Sequence, residues 1–72
     1  MISYAPLIST LHKKKISKSD LMEGIKTSSA TIAKIGKDEY ISMKILDDIC
    51  SYLNCEVEDV ITHVKNQKEE SK

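Results

Sequence analysis

Residues 17–37 read SKSDLMEGIKTSSATIAKIGK, and two short helical patterns meet there across a tight break. Ser17 stands where an N-cap belongs, and Asp20 three positions on supplies the acid of a shortened capping box. The helix that follows carries Leu21, Met22 and Ile25. It must break between Gly24 and Thr27, because glycine is a poor helix former and a Ser/Thr cluster comes next. The hydroxyl of Thr27 or of Ser28 is expected to cap the second helix. That helix holds Ile32 and Ile35 on one side and should stop at Gly36, the usual residue for a left-handed C-cap. Its opposite side collects Ser29, Ala30, Ala33, Lys34 and Lys37, small residues and lysines with no carboxylate among them.

Outward from this stretch the apolar spacing stays helical. Tyr4, Leu7, Ile8 and Leu11 follow the i, i+3, i+4, i+7 stripe of an amphipathic helix. Pro6 fits its first turn, and Lys13 to Lys15 suit its negative end. After a loop at 37–41, Ser42 caps a helix with Met43, Leu46, Ile49, Cys50 and Leu53 on one face, ended by Asn54. Val57, Val60, Ile61 and Val64 repeat the stripe, which predicts a fifth helix with Glu56, Glu58 and Asp59 in its first turn. The expected fold is all-α: five helices and no strand, one domain over 1–66 and a flexible polar tail over 67–72.

Composition sets the function classes. Seventy-two residues with 40% apolar and 31% charged side chains make one small soluble domain. No apolar run reaches the roughly 18 residues of a membrane span, and the N-terminus shows no signal-peptide pattern, so the expected location is cytoplasmic. Cys50 and Cys55 have no second pair and no histidine at ligand spacing, which favours buried thiols over a zinc site or disulfide. Net charge is zero, yet residues 1–37 hold seven lysines against two carboxylates, whereas 38–72 hold four lysines against nine. That split fits a polyanion-facing side on a neutral domain, or two halves that attract each other.

Short helix, tight break and second short helix is the helix-turn-helix pattern, in which the second helix enters the DNA major groove and the first crosses the backbone. Small side chains let a helix approach a groove closely. Ser bonds base edges or phosphates, Ala meets thymine methyls, and Lys reaches phosphates or guanine acceptors.

Beyond the pattern, residues 28–42 (SSATIAKIGKDEYIS) and then LDDICSYLNCEVEDVI over 46–61 resemble small bacterial and phage regulators of the Cro and phage-repressor (XRE-like) type. The resemblance spans about residues 3–64. It implies a five-helix lambda-repressor-like domain whose second and third helices form the motif, and a DNA-binding transcriptional regulator. It places the reading positions at Ser28, Ser29, Ala30, Ala33 and Lys34, with Lys18 and Ser19 opening the first motif helix and Lys37 at the end of the second. Two departures stand out: Lys26 occupies the turn position where the family commonly has Gly, and Thr27 replaces the usual apolar residue.

The chain contains no arginine, so bidentate Arg–guanine contacts are excluded and Lys34 would act as a point donor. Useful affinity for double-stranded DNA then calls for a homodimer, with the last helix and the loop before it as the expected surface. A second reading keeps the fold but reads no bases: an anti-repressor, antitoxin partner or regulatory subunit. Tyr40 is expected either to touch a phosphate or to pack over Ile35. His12 and His63 have no nucleophile at a recognisable spacing, so no enzyme is expected. Nor are a metal, a cofactor or a small-molecule ligand.

Overall fold

The computed structural model describes residues 1–65, and the predicted tail over 67–72 lies outside them. In chain order the elements are β1 (Ile2–Ser3), α1 (Ala5–Lys14), α2 (Lys18–Gly24), α3 (Ser29–Gly36), α4 (Met43–Leu53), a single 3₁₀ turn (Val57–Asp59) and β2 (Thr62–His63). The first four predicted helices are present. The fifth is not.

Its place is taken by the 3₁₀ turn and a strand that pairs antiparallel with β1, Ile2 opposite His63 and Ser3 opposite Thr62. Two causes act together. Val57, Val60, Ile61, Thr62 and Val64 are β-branched, and such side chains lose χ1 freedom in a helix but suit a strand. Tertiary hydrogen bonds also claim the segment. The Val60 carbonyl accepts the Leu7 N–H at 3.2 Å, filling an orphan donor in the first turn of α1. The Thr10 hydroxyl donates to the Asp59 carbonyl at 2.8 Å. Met1 and Val64 exchange two main-chain bonds, each 2.8 Å.

One apolar cluster joins every helix: Leu7 and Leu11 from α1, Leu21 from α2, Ile35 from α3, and Leu46, Ile49 and Leu53 from α4, with Tyr4 and Val60 closing its ends. Burying each such side chain contributes on the order of 1.5–3 kcal/mol. Leu21 and Ile35 therefore anchor α2 and α3 to a common floor, with Ile25 and Ile32 half-buried beside them. Two stripe residues depart from expectation. Met43, at the first position of α4, is 77% exposed, and Ile8 also faces outward.

All four helices end in the same way, and none uses glycine. Lys15, Lys26, Asp38 and Asn54 have φ between 54° and 58° and are the only positive-φ residues described. Each is followed by a residue whose N–H reaches back five positions to a helix carbonyl: Ile16 to Leu11, Thr27 to Met22, Glu39 to Lys34, Cys55 to Cys50. With the companion bonds from Lys15, Lys26, Asp38 and Asn54 to His12, Glu23, Ile35 and Ser51, these are Schellman closures. Asn54 was expected in this role. Gly36 was expected too, but the left-handed residue is Asp38, two positions later, and Gly36 remains helical. The turn between the motif helices keeps its left-handed geometry with Lys26 where a glycine is usual. A non-glycine residue there costs about 1 kcal/mol. Lys15→Gly and Lys26→Gly are accordingly expected to stabilise the domain by roughly 0.5–1 kcal/mol each, seen as a rise of several degrees in Tm.

Gly24 serves a different purpose. A Cβ there would overlap the aromatic ring of Tyr52, so this glycine lets α2 sit directly on α4. Gly24→Ala should therefore destabilise the fold by about 1–3 kcal/mol despite alanine's better helix propensity. The double variant Gly24→Ala/Tyr52→Ala, compared with Tyr52→Ala alone in urea melts, should remove that penalty.

Candidate nucleic-acid interface

The start of α2 is fixed by a reciprocal pair: the Asp20 N–H donates to the Ser17 hydroxyl at 3.0 Å, and the Ser17 N–H donates to the Asp20 carboxylate at 3.2 Å. This capping box sets Lys18 and Ser19 on the first turn, both exposed. Ser42 caps α4 similarly, its hydroxyl accepting the Ile45 N–H at 3.2 Å.

The start of α3 is built otherwise. Ser28 is the N-cap by backbone, with φ −91° and ψ 164°, but its side chain makes no capping bond. The amide that such a hydroxyl would accept, that of Thr31, donates instead to the Ser28 carbonyl at 3.2 Å. The expectation of a hydroxyl cap at Ser28 therefore fails. The hydroxyls of Ser28 and Ser29 stand exposed at the positive end of an eight-residue helix.

Ile35 is buried and Ile32 half-buried, which fixes the rotation of α3 about its axis. Ala30, Ala33 and Lys34 consequently point outward, and Lys37 follows at the C-cap. All eight residues singled out in the sequence, Lys18, Ser19, Ser28, Ser29, Ala30, Ala33, Lys34 and Lys37, are exposed. The two motif helices also meet at one edge. The Lys18 ammonium lies 3.9 Å from where a Cβ on Gly36 would be, which brings the head of α2 beside the tail of α3 and next to Lys37.

These lysines are electrostatically available. The only ion pair among the described residues joins Lys44 to Asp48 at 3.0 Å, along α4. Two carboxylates adjacent in sequence to the basic residues are engaged with backbone amides: Asp20 caps Ser17, and Asp38 accepts the Tyr4 N–H at 3.0 Å. Tyr40, expected on a phosphate or over Ile35, is 75% exposed. Cys50 and Cys55 are free and half-buried, and burial pushes both thiols above their ordinary pKa.

Sequence reasoning missed the brace behind the interface. The Tyr4 N–H is held by the Asp38 carboxylate, and the Tyr4 hydroxyl donates to the Glu39 carbonyl at 2.6 Å. Both partners lie in the loop that leaves α3. Tyr4 read as one member of an apolar stripe, and nothing in local spacing marked its partners 34 and 35 residues away.

A family model described as the Cro/C1-type HTH DNA-binding domain matches residues 7–66. The chain belongs to that family. Within this Cro/C1-type domain, α2 and α3 are the helix-turn-helix pair, and the sequence-level resemblance holds at the level of fold. Among solved structures it is similar to the crystal structure of the transcriptional regulator VanUg, form II, with a TM-score of 0.87 and 37% identity over 90% of this chain and 87% of that one. A search of curated proteins returned no match. Family membership and this likeness support a DNA-binding regulator. No described helix is long and apolar enough to cross a membrane.

Proposed function

We propose that this Cro/C1-type domain is a sequence-specific transcriptional regulator, acting as a repressor in the cytoplasm, which lays α3 in the major groove of double-stranded DNA. The observation that carries the reading is the outward face of α3. It offers two serine hydroxyls, two alanines and a lysine without a carboxylate, on a helix whose rotation is fixed by Ile32 and Ile35. Ser28, Ser29, Ala30, Ala33 and Lys34 read base edges. Lys18, Ser19 and Lys37 hold phosphates on either side and set the register.

Because one module covers only about 600–1,000 Å² of surface on DNA, the regulator works as a two-fold dimer on paired half-sites roughly one helical turn apart. The test is fluorescence anisotropy against a random-sequence duplex pool at several salt concentrations, with the bound fraction sequenced. Steep salt dependence and an enriched palindrome are expected. Absence of binding at low salt would overturn the reading in favour of a module that touches only protein.

A further inference from the structure

Cys50 and Cys55 stand five residues apart, a spacing that would set them on different sides of a continuous helix. The helix does not continue. Asn54, with φ and ψ both 54°, turns the chain left-handed, and the Cys55 N–H closes on the Cys50 carbonyl at 3.0 Å. In a closure of this kind these are the two positions whose side chains meet. One N–H···O bond also keeps the two Cα atoms within about 7 Å of each other. The thiols accordingly lie within hydrogen-bonding reach of one another, both half-buried. Nothing in the function proposed above uses them.

The pair can be reached from solvent. Cys55 lines an open hollow of about 350 Å³, to which α1 contributes Lys13 and Lys14 and the 3₁₀ turn contributes Asp59. Asp59 is occupied, its carboxylate accepting the Glu56 N–H at 3.1 Å. The ligand chemistry follows from the donor set. Two sulfurs converge, and among the described residues no group of three or more Cys, His, Asp or Glu side chains forms that could hold an ion. A structural zinc takes four such ligands, and calcium roughly six to eight oxygens. A soft ion of low coordination number is satisfied by two thiolates, and among biological metals thiolate softness selects Cu(I).

We propose that Cys50 and Cys55 form a two-coordinate site for a soft monovalent cation, Cu(I) being the biological one. Binding forms two S–Cu bonds and breaks two S–H bonds; both protons pass to solvent and the metal keeps its oxidation state. The product carries one net negative charge, which Lys14 beside Cys55 balances. Metal–thiolate bonds of about 2.3 Å set in line need the sulfurs roughly 4.6 Å apart. A small turn of the Cys55 side chain into the hollow supplies that separation. In a reducing compartment such a pair persists as thiols, ready for the ion. Because the two sulfurs are brought together only by the folded end of α4, loading the site stabilises the fold.

The experiment titrates Cu(I) into the full, reduced chain without oxygen, in competition with the chromophoric chelator bicinchoninate. The parent is compared with Cys50→Ala and Cys55→Ala, each checked by a thermal melt. Expected are one ion per parent chain, a rise of several degrees in its Tm on loading, and affinity at least about 100-fold lower in either variant, since the second sulfur acts by chelation. An unchanged affinity in either variant would overturn the paired site, as would a parent that takes no ion. Should Cys50→Ala unfold, Cys55→Ala, which lies outside α4, decides the matter together with X-ray absorption of the loaded parent. Two sulfur neighbours and no others are expected there. Nitrogen or oxygen neighbours, or Zn(II) held as tightly as Cu(I), would overturn two-coordination. None of these readouts involves DNA, so the site stands or falls separately from recognition.

Discussion

Lys34→Glu is expected to abolish DNA binding at moderate salt while leaving the fold intact. Lys34 is exposed and unpaired among the described residues, so its replacement should move the stability by no more than about 0.5 kcal/mol. On the proposed reading, the same position meets phosphate or a guanine acceptor on DNA. Lys34→Ala removes one attractive point charge, which should cost roughly 5- to 100-fold in affinity and lower the salt slope by about one per site. Reversal to glutamate adds repulsion against a polyanion, worth several kcal/mol more. A two-fold dimer carries the loss twice, so binding to the palindrome should fall further than binding to one half-site. Anisotropy titrations at three salt concentrations, beside thermal melts of both variants, check each part. Affinity unchanged by Lys34→Glu would move α3 out of the groove.

The legibility of this molecule follows the range of the interactions involved. Capping residues, apolar stripes and breaks act over three to seven residues, which is why Ser17, Asp20, Ser42 and Asn54 and the extents of four helices could be read directly. The rotation of α3 was legible for the same reason, since Ile32 and Ile35 are the only large apolar residues it contains. Failures came where distant chain segments compete with local preference. The Val57-to-Val64 stripe satisfies a helix, a 3₁₀ turn and a strand almost equally. Pairing with Ile2 and Ser3 decides between them, some 60 residues away. Gly36 failed for a subtler cause. The helix needed a left-handed residue, but Asp38 can take that conformation and also present its carboxylate to Tyr4. Glycine at 38 would supply the turn without the bond. Gly24, in contrast, looked like a breaker and proved to be a clearance for Tyr52.

Tyr4→Ala is expected to be the most damaging single truncation, costing about 3–5 kcal/mol. A domain of this length has roughly 4–11 kcal/mol to lose, so a large share of the variant should be unfolded on warming to physiological temperature. The side chain is almost wholly buried at the junction of β1, α1 and the loop after α3. Tyr4→Phe separates packing from bonding. It keeps the ring but leaves the Glu39 carbonyl without its 2.6 Å donor, for an expected loss of about 1–3 kcal/mol. Burial, and then the nearby Asp38 charge, hold the Tyr4 phenol above its ordinary pKa of about 10. The folded state thus holds this proton more tightly than the unfolded chain does. Its contribution is complete below about pH 10 and declines as pH rises beyond it. Urea melts from neutral to alkaline pH should therefore show a falling limb in the parent that is shallower in Tyr4→Phe. The lysines and the other two tyrosines cancel in that comparison. Because Tyr4 grips Asp38 and Glu39, the two residues that close α3, Tyr4→Phe should also weaken DNA binding more than its loss of stability requires. The helix proposed to enter the groove would then be held at its tail by one bond, from the Tyr4 amide to Asp38, where the parent has two.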